Sequence, residues 1–166
     1  MKKYLRLFCG LIAVFPLIVS TRLLSIFVGQ DKAVKCIGPL ATAGAKRLLK
    51  YWVPRARKSD DFDSFAARMK ENFWLWRPLY DIEIQREEKD VFELYISNCP
   101  FCEILNSFGL STLSRYVCEG DWEIAKEHPD QWLFERSHQI GSGDTYCNHT
   151  YKRIMEDGRS NSLPDQ

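Results

Sequence analysis

Apolar positions along this chain change period three times. From Leu7 to Val19 the sequence runs without a charge, Arg22 interrupts, and Leu23 to Val28 is apolar again. Ala33, Val34, Ile37, Ala41, Ala45, Leu48, Leu49 and Trp52 then recur at near-helical spacing from a start at Gln30-Asp31, with Gly38-Pro39 an expected kink and Val53-Pro54 a stop. Arg55 to Ser59 reads as a solvated basic linker that, beside an apolar anchor, can also touch anionic headgroups. Asp60 or Asp61 can cap a second helix with Phe62, Phe65, Ala66, Met69, Phe73 and Trp76 in one stripe, ended by Arg77-Pro78.

Beyond Pro78 the period becomes two. Tyr80, Ile82 and Ile84 alternate with Asp81, Glu83 and Gln85, and after a charged turn from Arg86 to Asp90 a second strand carries Phe92, Leu94 and Ile96 on one face. The pair predicts an antiparallel hairpin. Cys99-Pro-Phe-Cys102 leads through a short helix to a C-cap at Gly109, and Ser111 or Thr112 opens another helix bearing Leu113, Tyr116, Val117 and Trp122, finished before Pro129. Trp132 to Ile140 and Tyr146 to Arg153 are strand-like and joined across Gly141-Ser-Gly-Asp144. The expected fold is α+β, N-terminal helices followed by a small antiparallel sheet packed against helices. Its expected parts are a hydrophobic anchor over 1–28, a domain over 29–155 and a disordered tail over 156–166.

The anchor admits three readings. Lys2, Lys3 and Arg6 before an apolar middle, with Ile18 and Ser20 as a cleavage pair, fit a secretory signal, although the second apolar run is unusual for one. A retained anchor, spanning or kinked at Pro16 and lying in the interface, accounts for both runs. A buried core helix is the third. The anchor is preferred, with residues 5–28 touching membrane lipid at a bacterial inner membrane. A spanning helix would keep its basic N-terminus in the cytoplasm and put the domain outside; an interfacial one would leave it inside.

Composition narrows the function. At 166 residues, 45% hydrophobic and 27% charged, one globular core is expected, and a net charge of +1 gives no basic groove, so no nucleic acid is expected as partner. Six cysteines are present, and Cys99, Cys102, Cys118 and Cys147 fall within the part of the chain that mixes thiols with carboxylates. Cys118 and Asp121 are one helical turn apart, with Arg115 a turn before, while Cys147, His149 and Tyr151 share a strand face and Arg136 and His138 share one with Trp132 and Phe134. Should the inward faces coincide, these groups form a pocket beneath the Cys118 helix; a purely structural polar network is the plainer alternative. Cys118 or Cys147 is then a candidate nucleophile, with His138 or His149 as base and Asp121 or Asp144 to orient it. Cys99-x-x-Cys102 is half of a zinc knuckle, so a divalent metal such as zinc stays possible; a redox pair or a disulfide would use the same spacing.

Cys99-Pro-Phe, Cys118-x-x-Asp121, Arg136 and Gly143-Asp144-x-x-Cys147 resemble the L-2-amino-thiazoline-4-carboxylic acid hydrolase family, over about residues 29 to 153 and most from Cys99 onward. After Cys147 this chain has Asn148-His149 where the family usually shows Asp-Phe. The resemblance implies a small α+β domain and hydrolytic opening of a thiazoline ring at a C–N bond, giving an S- or N-carbamoyl cysteine. With it, the expected catalytic set is Cys118, Asp121, Arg136, Asp144 and Cys147, with Arg136 gripping a substrate carboxylate alongside His138 and His149. The alternative class is a membrane-associated module that holds a small ligand or a metal without turnover.

Overall fold

The computed structural model describes residues 2–54 and 62–154. The basic linker, the Asp60 or Asp61 cap and the tail over 156–166 lie outside the described residues. Helices come first: α1 (Lys2–Val28) and α2 (Gln30–Leu49) join at Gly29, and α3 (Phe62–Glu71) and α4 (Phe73–Trp76) follow. Next come β1 (Ile82–Glu88), β2 (Val91–Ile96), α5 (Pro100–Ser107), α6 (Ser111–Ala125), β3 (Leu133–Glu135), a 3-10 turn (Ile140–Ser142) and β4 (Cys147–Lys152). The four strands form one antiparallel sheet in the order β1-β2-β4-β3. The chain is α+β.

The alternation read from sequence fixes the sheet's inner face. Phe92, Leu94 and Ile96 stand opposite Tyr151, His149 and Cys147 across the β2–β4 ladder, and all six are buried. Against this face lie Phe62, Phe65, Met69, Phe73 and Trp76 of α3 and α4, the predicted stripe. Two helical pieces replace the single predicted helix, because the chain breaks at Asn72, whose side-chain amide donates to the Trp52 carbonyl at 2.8 Å. In the first hairpin the predicted turn narrows to Lys89-Asp90, since Arg86 to Glu88 continue the strand past an irregularity between Ile84 and Arg86. Ile84 is left exposed.

The predicted strand over 132–140 is the larger difference. Only Leu133–Glu135 pairs with β4. Beyond it the Asn148 side-chain oxygen takes the N–H groups of Ser137 and His138, at 3.0 and 2.7 Å, replacing ladder bonds with a side-chain cap. α5 ends at the predicted Gly109, whose φ of 67° is a conformation that favours glycine, and it starts with Cys99 as an extended N-cap and Pro100 in the first turn.

A second core sits on the other side of α6, where Val14 and Ile18 of α1 meet Val34 and Ala41 of α2, Leu105 of α5 and Leu113 of α6. The α2 helix passes through Gly38-Pro39 unbroken. It lies against α6 so closely that a Cβ on Gly38 would fall 2.5 Å from the Tyr116 ring, and one on Gly120 2.7 Å from Ala45 Cβ.

The first helix is long and apolar enough to cross a membrane, and only 17% of its most apolar window is buried in the fold. Its buried stripe is Gly10, Val14, Ile18 and Thr21, while Phe8, Ile12, Phe15, Leu23, Ile26 and Phe27 face outward. The basic N-terminus is fastened to the domain: Lys2 pairs with Asp81 at 2.6 Å, and Arg6 with Asp81 and Glu103 at 3.2 and 3.3 Å.

Candidate functional site

Three elements converge where the two cores meet. Cys99 and Cys102 come from the start of α5, Cys118 and Asp121 from one face of α6, and Cys147 and His149 from the inner face of β4. The Sγ atoms of Cys102 and Cys118 are 3.9 Å apart, and all six cysteines of the chain are free thiols. The 3-10 turn seals the far side: Gly141 lies so near α6 that a Cβ there would fall 2.6 Å from Cys118 Sγ, and Ile140 N–H donates to Cys147 Sγ at 3.2 Å. A glycine is required at 141 for that approach.

The thiols are unequal. Cys118 receives hydrogen bonds from Cys102 and Cys147, which stabilise its thiolate and lower it to about 5, whereas those same bonds first, and burial after them, hold Cys102 and Cys147 well above the ordinary thiol value. Burial also raises Tyr80 and Tyr151, which stay neutral phenols beside the cluster.

Arg136 is buried, its side chain 1% exposed, and its donors are taken within the protein: Asp121 Oδ2 at 2.5 Å, the Cys118 carbonyl at 3.2 Å from both terminal nitrogens, and Gln139 Oε1 at 2.6 Å. Its guanidinium also stacks over Trp122 and Phe134. A grip on a substrate carboxylate therefore has no free fork to use; the residue ties the end of β3 to the Cys118 turn of α6. His149 Nε2 lies 3.7 Å from the same Asp121 oxygen, so one carboxylate serves the guanidinium and faces the imidazole.

His138 and Asp144 are not brought to this cluster. Because the strand stops at Glu135, His138 turns outward and stacks on Tyr146 at 4.4 Å between ring centroids. Asp144 accepts from Gln139 N–H at 2.7 Å and shapes the loop. Nor do the thiols form a metal centre: among the described residues no group of three or more His, Cys, Asp or Glu side chains is arranged to hold an ion, and Cys99 and Cys102 pack as buried thiols with Cys118.

Cys99, Cys118, Asp121, Cys147 and His149 line a cavity of about 80 Å3, whose remaining wall is Ala45, Leu48, Leu49, Trp52, Trp76, Tyr80, Ile96, Phe101 and Val117. The reactive groups occupy one end of an otherwise apolar chamber. Sequence reasoning passes over Trp52, Trp76 and Tyr80 here, because a helical aromatic stripe reads as core, and it has no signal at all for Gln139. The indole N–H groups of Trp52 and Trp76 are buried without an acceptor, as is that of Trp132 elsewhere in the same core.

Comparison with protein families matches residues 18–151 to L-2-amino-thiazoline-4-carboxylic acid hydrolase. The chain belongs to that family. The matched range contains every residue of the cavity wall, and the family's name gives a hydrolase of the thiazoline-carboxylate kind as the coarse activity. No match is found among curated proteins or among solved structures. In this member of the family Asn148 caps the loop before β4 through its oxygen and also donates to Ser137 Oγ at 2.9 Å, which a carboxylate at that position could not do. His149 introduces an imidazole into the chamber.

Proposed function

We propose that the protein hydrolyses a small thiazoline-carboxylate-like ring at its C–N bond, with Cys118 as nucleophile and His149 as the proton carrier. The observation that carries this is the Cys118 thiol in the cavity wall, lowered to about 5 between two thiol donors and sharing its chamber with a His149–Asp121 pair. The thiolate adds to the ring carbon between nitrogen and sulfur. The C=N electron pair moves to the ring nitrogen, which takes a proton from the His149 imidazolium, and the C–N bond breaks as that nitrogen takes a second proton from water. The hydroxide so formed adds to the same carbon, the Cys118 thiolate leaves, and the hydroxyl proton returns to His149. One water has been added, and a 2-amino ring yields an S-carbamoyl cysteine. Asp121 orients His149, and Arg136 and Cys147 act as positioning residues that hold Asp121 and the Cys118 thiolate; His138 and Asp144 take no part.

The test is turnover of 2-amino-thiazoline-4-carboxylate by purified protein, followed by mass-spectrometric detection of the carbamoyl product. Cys118→Ala is expected to abolish turnover and Asp121→Asn to reduce it at least tenfold. Unchanged rates in both variants would falsify the site. A module that binds without turnover is supported by the apolar wall, and it would show the reverse: ligand binding that survives Cys118→Ala with no product formed.

The same reading places the chain at a membrane surface, at the bacterial inner membrane, through residues 5–28. The outward apolar face of α1 supports it. In-plane placement is favoured over crossing, because α1 packs along α2, and a spanning α1 would carry Asp31, Lys32 and Lys35 of α2 into hydrocarbon. Co-sedimentation with phospholipid vesicles is expected for the native chain and at least tenfold weaker for Phe8→Glu/Phe15→Glu, both exposed positions; equal binding would remove the membrane from the proposal.

A further inference from the structure

A second cavity lies beside the reactive chamber. This groove of about 370 Å3 runs between α1 and α2, and Ala45, Leu48, Phe101 and Val117 are wall to both cavities. Arg47, at the exposed edge, is the one charged side chain in its lining. The packing is closed where Gly10 of α1 meets Pro100 of α5, yet at Gly44 of α2 an added Cβ would have nothing within 4 Å. The helices part over a space that Ala13, Pro16, Ala41 and Gly44 leave unfilled.

The relative sizes say what could occupy the pair. The reactive end, with its thiols and His149, encloses about 80 Å3, and the groove behind it more than four times as much. The polar groups of the reactive chamber are those of Tyr80, Cys99, Cys118, Asp121, Cys147 and His149, and the rings of Trp52 and Trp76, 4% and 8% exposed, help complete its wall. The groove has almost nothing but carbon. Its α1 rim continues into the exposed apolar face of Phe8, Ile12 and Phe15, so a chain partitioned into lipid would reach it without crossing water.

We propose that the substrate is an amphiphile, a thiazoline-carboxylate-type head bearing an aliphatic tail, with the head against Cys118, Trp52 and Trp76 and the tail in the α1–α2 groove. This rests on the hydrolase reading above for its chemistry and on the groove for its substrate class. Water added at the ring C–N bond of such a 2-alkyl ring gives an S-acyl cysteine.

The probes are 2-alkyl-thiazoline-4-carboxylates from methyl to decyl, with turnover measured by product formation and binding by tryptophan fluorescence on the full chain. KM is expected to fall roughly threefold to fourfold per added methylene until the groove is filled. Gly44→Leu, which fills the groove from a position free of clashes, is expected to flatten that dependence, with its melting temperature recorded to show that it folds. Equal constants for methyl and decyl compounds, with turnover that still needs Cys118, would overturn the amphiphile and leave the hydrolase reading standing. Chain-length-dependent binding that Gly44→Leu removes, without product from any compound, would keep the amphiphile and overturn the hydrolase. Neither turnover nor length-dependent binding overturns the amphiphile, as does a slope that Gly44→Leu leaves unchanged.

Discussion

The two cores on either side of α6 are built from opposite materials. On the sheet side large rings fill the volume: Phe65 touches Phe92, Trp132 and Tyr151 at 6.4, 6.0 and 5.1 Å between centroids. On the helix side the volume is removed instead, with Gly38 under Tyr116 and Gly120 against Ala45 letting α2 and α6 approach. One side fails when atoms are taken away and the other when they are added. The thiols, Asp121, Arg136 and His149 occupy the seam, where neither kind of filling is complete and a chamber remains.

That contrast can be broken most severely on the sheet side and at the seam. Phe65→Ala, at a fully buried ring, is expected to lower unfolding free energy by about 3–5 kcal/mol in urea titration. Arg136→Met should cost a similar ~3–5 kcal/mol, because it strands the Asp121 carboxylate and frees the Cys118 carbonyl, and its cost should shrink markedly in the Arg136→Met/Asp121→Leu double variant. A loss under about 1 kcal/mol for the single change would show the pair to be dispensable.

On the helix side a single methyl should do what a ring deletion does opposite. Gly120→Ala drives a Cβ to 2.7 Å from Ala45 Cβ and 3.0 Å from the Lys46 backbone nitrogen, for an expected loss of ~1–3 kcal/mol. Gly44→Ala, two turns from the contact that closes at Gly38, should instead gain about 0.5–1 kcal/mol from helix propensity. Equal effects at 44 and 120 would erase the distinction between a closed and an open seam.

Stability should also depend on pH. Cys118 is lowered to about 5, so its contribution is present above the ordinary thiol value of about 8.5 and fades as pH falls toward 5. Cys102 and Cys147 are raised, so theirs is present below about 8.5 and lost above it. The urea midpoint should climb from pH 5 to a maximum near 8.5 and then decline, and Cys118→Ala should remove the acid limb. A flat acid limb in the native chain would place the thiolate elsewhere.

The seam was half legible in the sequence. Cys118 and Asp121 one turn apart, and Cys147 and His149 two apart on a strand, follow from the periods of helix and strand, and the structure puts all four in one wall. Asp144 enters the expected set through the Gly143-Asp144-x-x-Cys147 resemblance, and His138 by extending the same phase through residues that do not form a strand. The cause is Asn148, whose side chain captures backbone N–H groups ten and eleven residues earlier in the chain. For Arg136, spacing shows the shared strand face but not that three acceptors already meet its guanidinium.

What the sequence determined by itself is whatever repeats locally: the helical stripes, the alternating strands, the Pro100 start and Gly109 end of α5, and the face each thiol occupies. These follow from backbone geometry that every short segment carries with it. Tertiary structure decided the rest. It folded the apolar α1 back along α2 and fastened Lys2 and Arg6 to Asp81 and Glu103, it set Trp52 and Trp76 beside Cys118, and it left the space at Gly44 open. Each of these depends on which surfaces meet, and meeting surfaces lie tens of residues apart in a chain whose pattern records only neighbours.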